Sequence, residues 1–183
     1  MTPLALLATY PLSPNHFDLA AFCSRWYIVQ SNLALWQRYA NPTITYTHLP
    51  GPGVPQLLDV VTYTKANGQQ GQITGIDRVD EQHERLLRWR GDRWYTRWLT
   101  SHWCIVDHDP HCAEWAVTYF SATPFTKAGI DLYARTPTLS HEQSALILAR
   151  LQQQPFLREQ TTTLFTPQQQ GFNDSRSSTQ NNL

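Results

Sequence analysis

The chain has 183 residues, with 14 basic and 14 acidic side chains and a formal net charge of zero. That length predicts one domain with a sizeable core, and the charge balance leaves no electrostatic footprint for nucleic acid. No apolar run reaches the length of a membrane span, and 41% hydrophobic with 12% aromatic residues is a globular rather than a disordered composition.

Residues 1–14 carry Pro3, Pro11 and Pro14 and read as an irregular arm. Their apolar stretch has no Lys or Arg before it and no full h-region, so no secretory signal is expected and the cytoplasm is the expected compartment. NHFDLAAF (15–22) reads as a short turn of helix, and RWYIVQS (25–31), aromatic and β-branched, as a strand. LALWQRYANP (33–42) is too long for a tight turn and reads as a large loop. TITYTHL (43–49) alternates strictly, which predicts a strand with one buried face. LLDVVTYT (57–64), GQITGIDRV (71–79), RLLRWRG (85–91) and WYTRWLTSHWCIVD (94–107) continue the strand rhythm, with an Asn-Gly turn signal in KANGQQ. WAVTYFS (115–121) and GIDLYAR (129–135) bring the count to eight strand-like segments with no helix between them. Short strands in that rhythm predict an all-β sandwich or an up-and-down barrel. Ser140 and Gln143 then form an S-x-x-Q capping box, and Ala145, Leu148 and Leu151 give the apolar stripe of a helix over 140–153 that Pro155 ends. TTTLF (161–165) reads as a last edge strand, and the polar residues 167–183 as a disordered tail.

Arg alternates with Trp in RWRGDRWYTRW (88–98), a pattern that could stack a single nucleic-acid strand. A hairpin with its basic residues on the wet face is the preferred reading, and no nucleic-acid partner is expected. Trp94 and Trp98 could be core beneath the helix. Cys23, Cys104 and Cys112 cannot all pair within one chain; reduced thiols fit an intracellular protein, with a Cys104–Cys112 bridge as the alternative. No cysteine or histidine spacing suggests a metal site. No G-x-S-x-G, H-E-x-x-H or P-loop pattern occurs, and no cofactor is implied.

Eight strands followed by one helix is the layout of a lipocalin barrel, and three motifs resemble that family. HFDLAAFCSRWYIV resembles its opening helix and G-x-W strand, with Ser24 in place of the Gly. IVDHD followed by WAVTY resembles its sixth-to-seventh strand hairpin, although the Tyr of the T-D-Y motif is missing beside Pro110, His111 and Cys112. LYARTPTLS resembles its last strand and Arg, with the Thr-Pro turn of bacterial lipocalins. The matches span roughly residues 15–158, and no cysteine is placed to form the family's usual disulfide to the C-terminal segment. The resemblance implies an eight-stranded antiparallel up-and-down barrel over 15–166 with one C-terminal helix packed outside. It implies that Arg135 lies over Trp26 at the closed end, a structural pair. A ten-stranded fatty-acid-binding barrel would place its helices early in the chain, and an immunoglobulin-like sandwich would not need the 33–42 loop.

Inward positions follow from the two-residue period of strands, anchored on that family's cavity. They are Ile28 and Gln30 on the first strand, Ile44 and Tyr46 on the second, Leu87 and Trp89 on the fifth, Trp103 on the sixth, Thr118 on the seventh and Asp131 on the eighth, with Trp36 in the loop over the mouth. Arg88 and Arg90 take the wet face by chemistry alone. An inward Asp131 would be desolvated and its pKa raised unless Arg97 or His102 answered it. The first function implied is binding of a small hydrophobic molecule. The alternative is an isomerase or cyclase, of pericyclase type, that holds a hydrophobic polyketide or terpenoid substrate in the same cavity. Asp131, with Tyr46 or His102, would then be its acid, base or hydrogen-bonding group. A chromophore or haem carrier using tryptophan stacking is a third reading.

Overall fold

Eight antiparallel strands close on themselves in chain order: β1 (Arg25–Ser31), β2 (Ala40–Leu49), β3 (Gln56–Thr64), β4 (Gln70–Val79), β5 (Leu86–Gly91), β6 (Thr100–His108), β7 (Trp115–Phe120) and β8 (Gly129–Ala134), with β8 pairing back onto β1. This is the up-and-down barrel expected from the strand rhythm. The computed structural model describes residues 2–13, 16–94 and 97–169. Among these, helices α1 (Pro3–Thr9), α2 (Leu19–Phe22), α3 (His141–Leu151) and α4 (Pro155–Thr161) lie outside the strands, and a 3-10 helix, Ala34–Gln37, follows β1.

The strands differ in how many faces they bury. β2 to β5 mostly present one face to the interior and one to water. Every residue of β8 is buried, and so are the four central residues of β7. The reason is a second apolar layer outside the barrel. Val29, Cys104, Val106, Val117, Ile130 and Leu132 point outward and meet Leu7 of α1, Ile147 and Leu151 of α3, and Leu157 of α4. An inner cluster around Phe22, Trp26, Leu57, Leu87 and Ile105 fills the closed end. Buried strands covered on both faces therefore read as continuous apolar runs rather than alternating ones.

Several local expectations are corrected. The N-terminal arm is not irregular: Thr2 caps α1, its hydroxyl accepting from Ala5 N at 3.3 Å, and Pro3 stands in the first turn, where a missing N–H costs nothing. Pro155 does not merely end the C-terminal helix; it opens α4 from its own first turn. The capping box of α3 forms as the spacing requires, but the buried side is Ile147 and Leu151 rather than a stripe through Ala145, which is exposed. The sixth strand begins at Thr100, not at Trp94. Trp94 and Trp98 are 83% and 62% exposed, so neither is core under the helix. Tyr95 and Thr96 of that stretch lie outside the described residues. TTTLF makes no strand; Phe165 forms a single bridge with Ser31. Residues 170–183 of the expected polar tail also lie outside the described residues. All three cysteines are free, so Cys104 and Cys112 do not bridge.

Candidate functional site

The closed end of the barrel sets the cavity's floor. Asp18 caps α2 through Ala20 N and Ala21 N, and the helix delivers Phe22 onto the Trp26 ring. Trp26 donates its indole N–H to Phe22 O at 2.9 Å. The Arg135 guanidinium carbon lies 3.3 Å from the centre of the Trp26 ring. Its nitrogens donate to the carbonyls of Ala21, Arg25 and Cys112. Burial pushes its pKa down to about 10, which still leaves it charged at neutral pH. The next turn is held by Asp109, whose carboxylate accepts from the backbone N–H groups of His111, Ala113, Glu114 and Trp115.

Above this floor lies a cavity of about 370 Å³ that opens where β1 ends and β2 begins. Ile28, Ile44, Tyr46, Trp89, Trp103, Thr118 and Asp131 line it, as the two-residue period requires, and Trp36 covers its mouth from the 3-10 helix. Val61, Ile73, Phe120 and Tyr133 complete much of the wall. Leu87 points inward but packs in the core below and is not on the cavity wall.

Three other expected site residues are elsewhere. A bulge in β1 shifts the register between Ile28 and Gln30. Gln30 is thereby turned outward, where its amide donates to Ser144 Oγ of α3 at 3.2 Å, and Ser31 takes the inward place. His102 stands opposite Arg88 on the outer face of β6 and is exposed. Arg97 is exposed in the β5–β6 connection, its carbonyl accepting from Arg90 Nε at 2.7 Å. Neither cation reaches Asp131, so His102 drops out of any catalytic pairing and Arg97 out of the ligand set.

Asp131 does point inward and is only 6% exposed. Burial pushes its pKa up to about 7, opposed by a hydrogen bond with Ser31. Its Oδ1 is buried with no hydrogen-bond partner. Two further carboxyls lie inside that sequence reasoning missed. Asp59 of β3 lines the cavity, and Asp77 of β4 lies fully buried beside it. The two carboxyls lie close enough to interact, and Asp59 Oδ1 and Asp77 Oδ2 are buried without a partner. Asp77 also accepts from Trp103 Nε1 at 2.7 Å. Burial raises both pKa values, and the Asp77 carboxyl adds to the rise at Asp59. The signal was available: Leu57, Asp59, Val61 and Tyr63, like Ile73, Gly75, Asp77 and Val79, share one parity along their strands.

Phenols complete the polar set. Tyr46 and Tyr133 hydroxyls lie 3.4 Å apart, and Thr118 is a further hydrogen-bond partner of Tyr133. Burial raises both phenol pKa values, so both are neutral donors at physiological pH. Trp36 Nε1 is also buried without a partner. No Lys, Arg or His lines the cavity among the described residues, and no cluster of His, Cys, Asp and Glu there could hold a metal ion.

No protein-family model matches the chain. No curated protein matches it either. Solved structures do match. Lobster apocrustacyanin A1 is 14% identical with a TM-score of 0.64, over 92% of this chain and 87% of that one. Insecticyanin from the tobacco hornworm Manduca sexta is 12% identical with a TM-score of 0.62, over 84% and 81%. The siderocalin Ex-FABP is 14% identical with a TM-score of 0.56, over 83% and 97%. All three are lipocalins, and with the closed eight-stranded barrel they show that this chain has a distant lipocalin-like fold.

Proposed function

We propose that the protein binds a small hydrophobic molecule in the barrel cavity. The observation that carries this is the cavity itself: aromatic and aliphatic walls, one open end, and a few buried polar atoms left without partners. Apolar walls supply affinity through the area they remove from water, and sparse polar atoms fix orientation. Ex-FABP, a similar barrel, functions through dual ligand specificities, which supports the reading without naming a ligand. Native mass spectrometry of freshly purified protein, with tryptophan-fluorescence titrations against N-phenyl-1-naphthylamine, retinoids and polyketides, tests it. Saturable quenching that the variant Trp103→Ala weakens is expected. No mass adduct and no quenching by any compound would remove it.

One observation favours a second reading, an isomerase or cyclase acting on a hydrophobic polyketide or terpenoid substrate. Asp131 combines a pKa near neutrality with an apolar, water-poor setting close to Tyr133 and Tyr46, and such a carboxyl can give or take a proton at physiological pH. Loss of turnover in Asp131→Asn with ligand binding retained would support it; turnover unchanged by that substitution would exclude Asp131 from the chemistry.

A further inference from the structure

We propose that the cavity selects a hydrophobic amine: a small, flat, apolar body carrying one protonated amino group, held at Asp131. The inference rests on the cavity being a ligand site, and it goes further by naming the ligand's charge.

Asp59, Asp77 and Asp131 are 5%, 0% and 6% exposed. No cationic side chain lines the cavity with them among the described residues. The groups that face Asp131 are Ser31 of β1, Thr118 of β7 and Tyr133 of β8, with Tyr46 of β2 and the two acids of β3 and β4 beyond them. Every one is neutral or acidic. An uncompensated buried carboxylate is costly, so such a group either stays protonated or waits for a cation from outside.

The three acids are not equivalent. Each keeps one buried oxygen without a partner, Asp59 Oδ1, Asp77 Oδ2 and Asp131 Oδ1. Asp59 and Asp77 lie close enough to interact with each other, and Trp103 donates to Asp77, so that pair can keep a proton between its two carboxyls. Asp131 has no second carboxyl beside it and only Ser31 to answer it, which leaves Asp131 Oδ1 open to a ligand. That bare oxygen is the natural seat for an ammonium group, which brings both donors and charge. The walls fit the same ligand. Tyr46 and Trp103 stack on each other, and with Trp36, Trp89 and Tyr133 they make the lining largely aromatic; aromatic rings attract cations. An anionic ligand would meet Asp59 and Asp131 on the wall and no counter-charge. A neutral one would gain at most a hydrogen bond.

Protonation gives a second signature. Asp131 has its pKa raised to about 7, so an ammonium must displace a proton from it in acid. Amine affinity is then level above neutral pH, until the amine itself deprotonates. It falls by up to about tenfold per pH unit below 7.

The test uses the full chain and four probes. N-phenyl-1-naphthylamine, neutral at the pH values used, reports on the cavity by fluorescence. Tryptamine, tryptophol and indole-3-propionate share one indole body with an amine, a hydroxyl or a carboxylate; each is titrated by calorimetry and by displacement. At pH 8, tryptamine is expected to bind at least about tenfold more tightly than tryptophol, with indole-3-propionate weakest. At pH 5.5 that preference should shrink by about tenfold or more. Asp131→Asn should bring the affinities of tryptamine and tryptophol together. Should that variant fail to fold, the wild-type pH series decides alone. Equal binding of tryptamine and tryptophol, or tighter binding of the propionate, with the reporter bound, would overturn the amine assignment and leave the ligand site standing. Failure of all four probes would overturn both.

Discussion

Arg135→Ala removes the tie between the last strand and the first. In the native barrel the guanidinium carbon lies 3.3 Å from the centre of the Trp26 ring. Its nitrogens donate to Ala21 O at 2.6 Å, Arg25 O at 3.1 Å and Cys112 O at 3.2 Å. A desolvated cation–π contact is worth about 2 kcal/mol, and a hydrogen bond from a charged donor about 1.5–3 kcal/mol. The sum is not fully realised, because Arg135 is only half-buried and freed carbonyls at its edge regain water. A net loss of about 3–5 kcal/mol follows, which lowers Tm by roughly 10 °C for a chain of this size. Arg135→Lys keeps the charge but cannot lie flat on the indole or reach three carbonyls together, so roughly half the loss should remain. Urea denaturation followed by far-UV circular dichroism measures both, with N-phenyl-1-naphthylamine binding at low urea as the control. If Arg135→Ala unfolded within about 0.5 kcal/mol of wild type, or kept its stability and lost the probe, the reasoning that makes this side chain the closing tie would be wrong.

Asp107 is fully buried and is held by Arg150 of α3 through contacts of 2.8 and 2.7 Å. Arg150→Met should cost about 3–5 kcal/mol in the same denaturation assay by stranding that carboxylate, and adding Asp107→Asn should recover much of it. Asp131 has its folded pKa raised to about 7, so the native state holds a proton that the unfolded chain has released. Stability is then fully present below the unfolded pKa of about 4 and falls as pH rises towards 7, by about 2 kcal/mol between pH 5.5 and 8 from this group alone. Asp131→Asn should lessen that slope by this share in urea melts, Asp59 and Asp77 still contributing in the same direction, and be the more stable protein at pH 8; a wild type equally stable at both pH values would contradict the buried charge. Gly75 lies directly under the Trp89 indole, where a Cβ would overlap the ring. Gly75→Ala should cost about 2 kcal/mol and, by pushing Trp89 towards the cavity, weaken the naphthylamine probe.

The fold was readable because it rests on local signals that repeat. Turn residues separated the strands, the capping box marked α3, and the Trp26–Arg135 pair followed from a motif at each end of the barrel. The site was readable only where strand parity ran unbroken. It ran unbroken to Ile44, Tyr46, Trp103, Thr118 and Asp131, and failed at Gln30, because the bulge in β1 is a backbone event that side-chain alternation does not encode. Asp59 and Asp77 were missed for a different reason. A lone Asp in an alternating strand looks like a solvent residue, and only their pairing across neighbouring strands makes burial tolerable. His102 was attractive as chemistry, but it has the opposite parity to the inward Trp103 and so takes the outer face, whereas Arg97 lies before β6 begins at Thr100.

At the mouth, the segment around Phe165 lies beside β1: Ser31 and Phe165 exchange two backbone hydrogen bonds of 2.9 Å, Asn41 N donates to Gln168 O, and the Gln169 amide donates to Ile28 O. It occupies the seam where β1 and β2 stop pairing, beyond Tyr27 and Thr43. The hoop is therefore completed by residues far apart along the chain, 110 positions for Arg135 and Arg25 and 141 for Gln169 and Ile28. Loop-closure entropy delays such contacts. Hairpins β2–β3 and β3–β4 can form early and locally, whereas Ser31, which braces Asp131 from the adjacent strand, is seated only when the ring shuts. During refolding, global structure should precede ligand competence, and the cavity would be the last part of the molecule to exist.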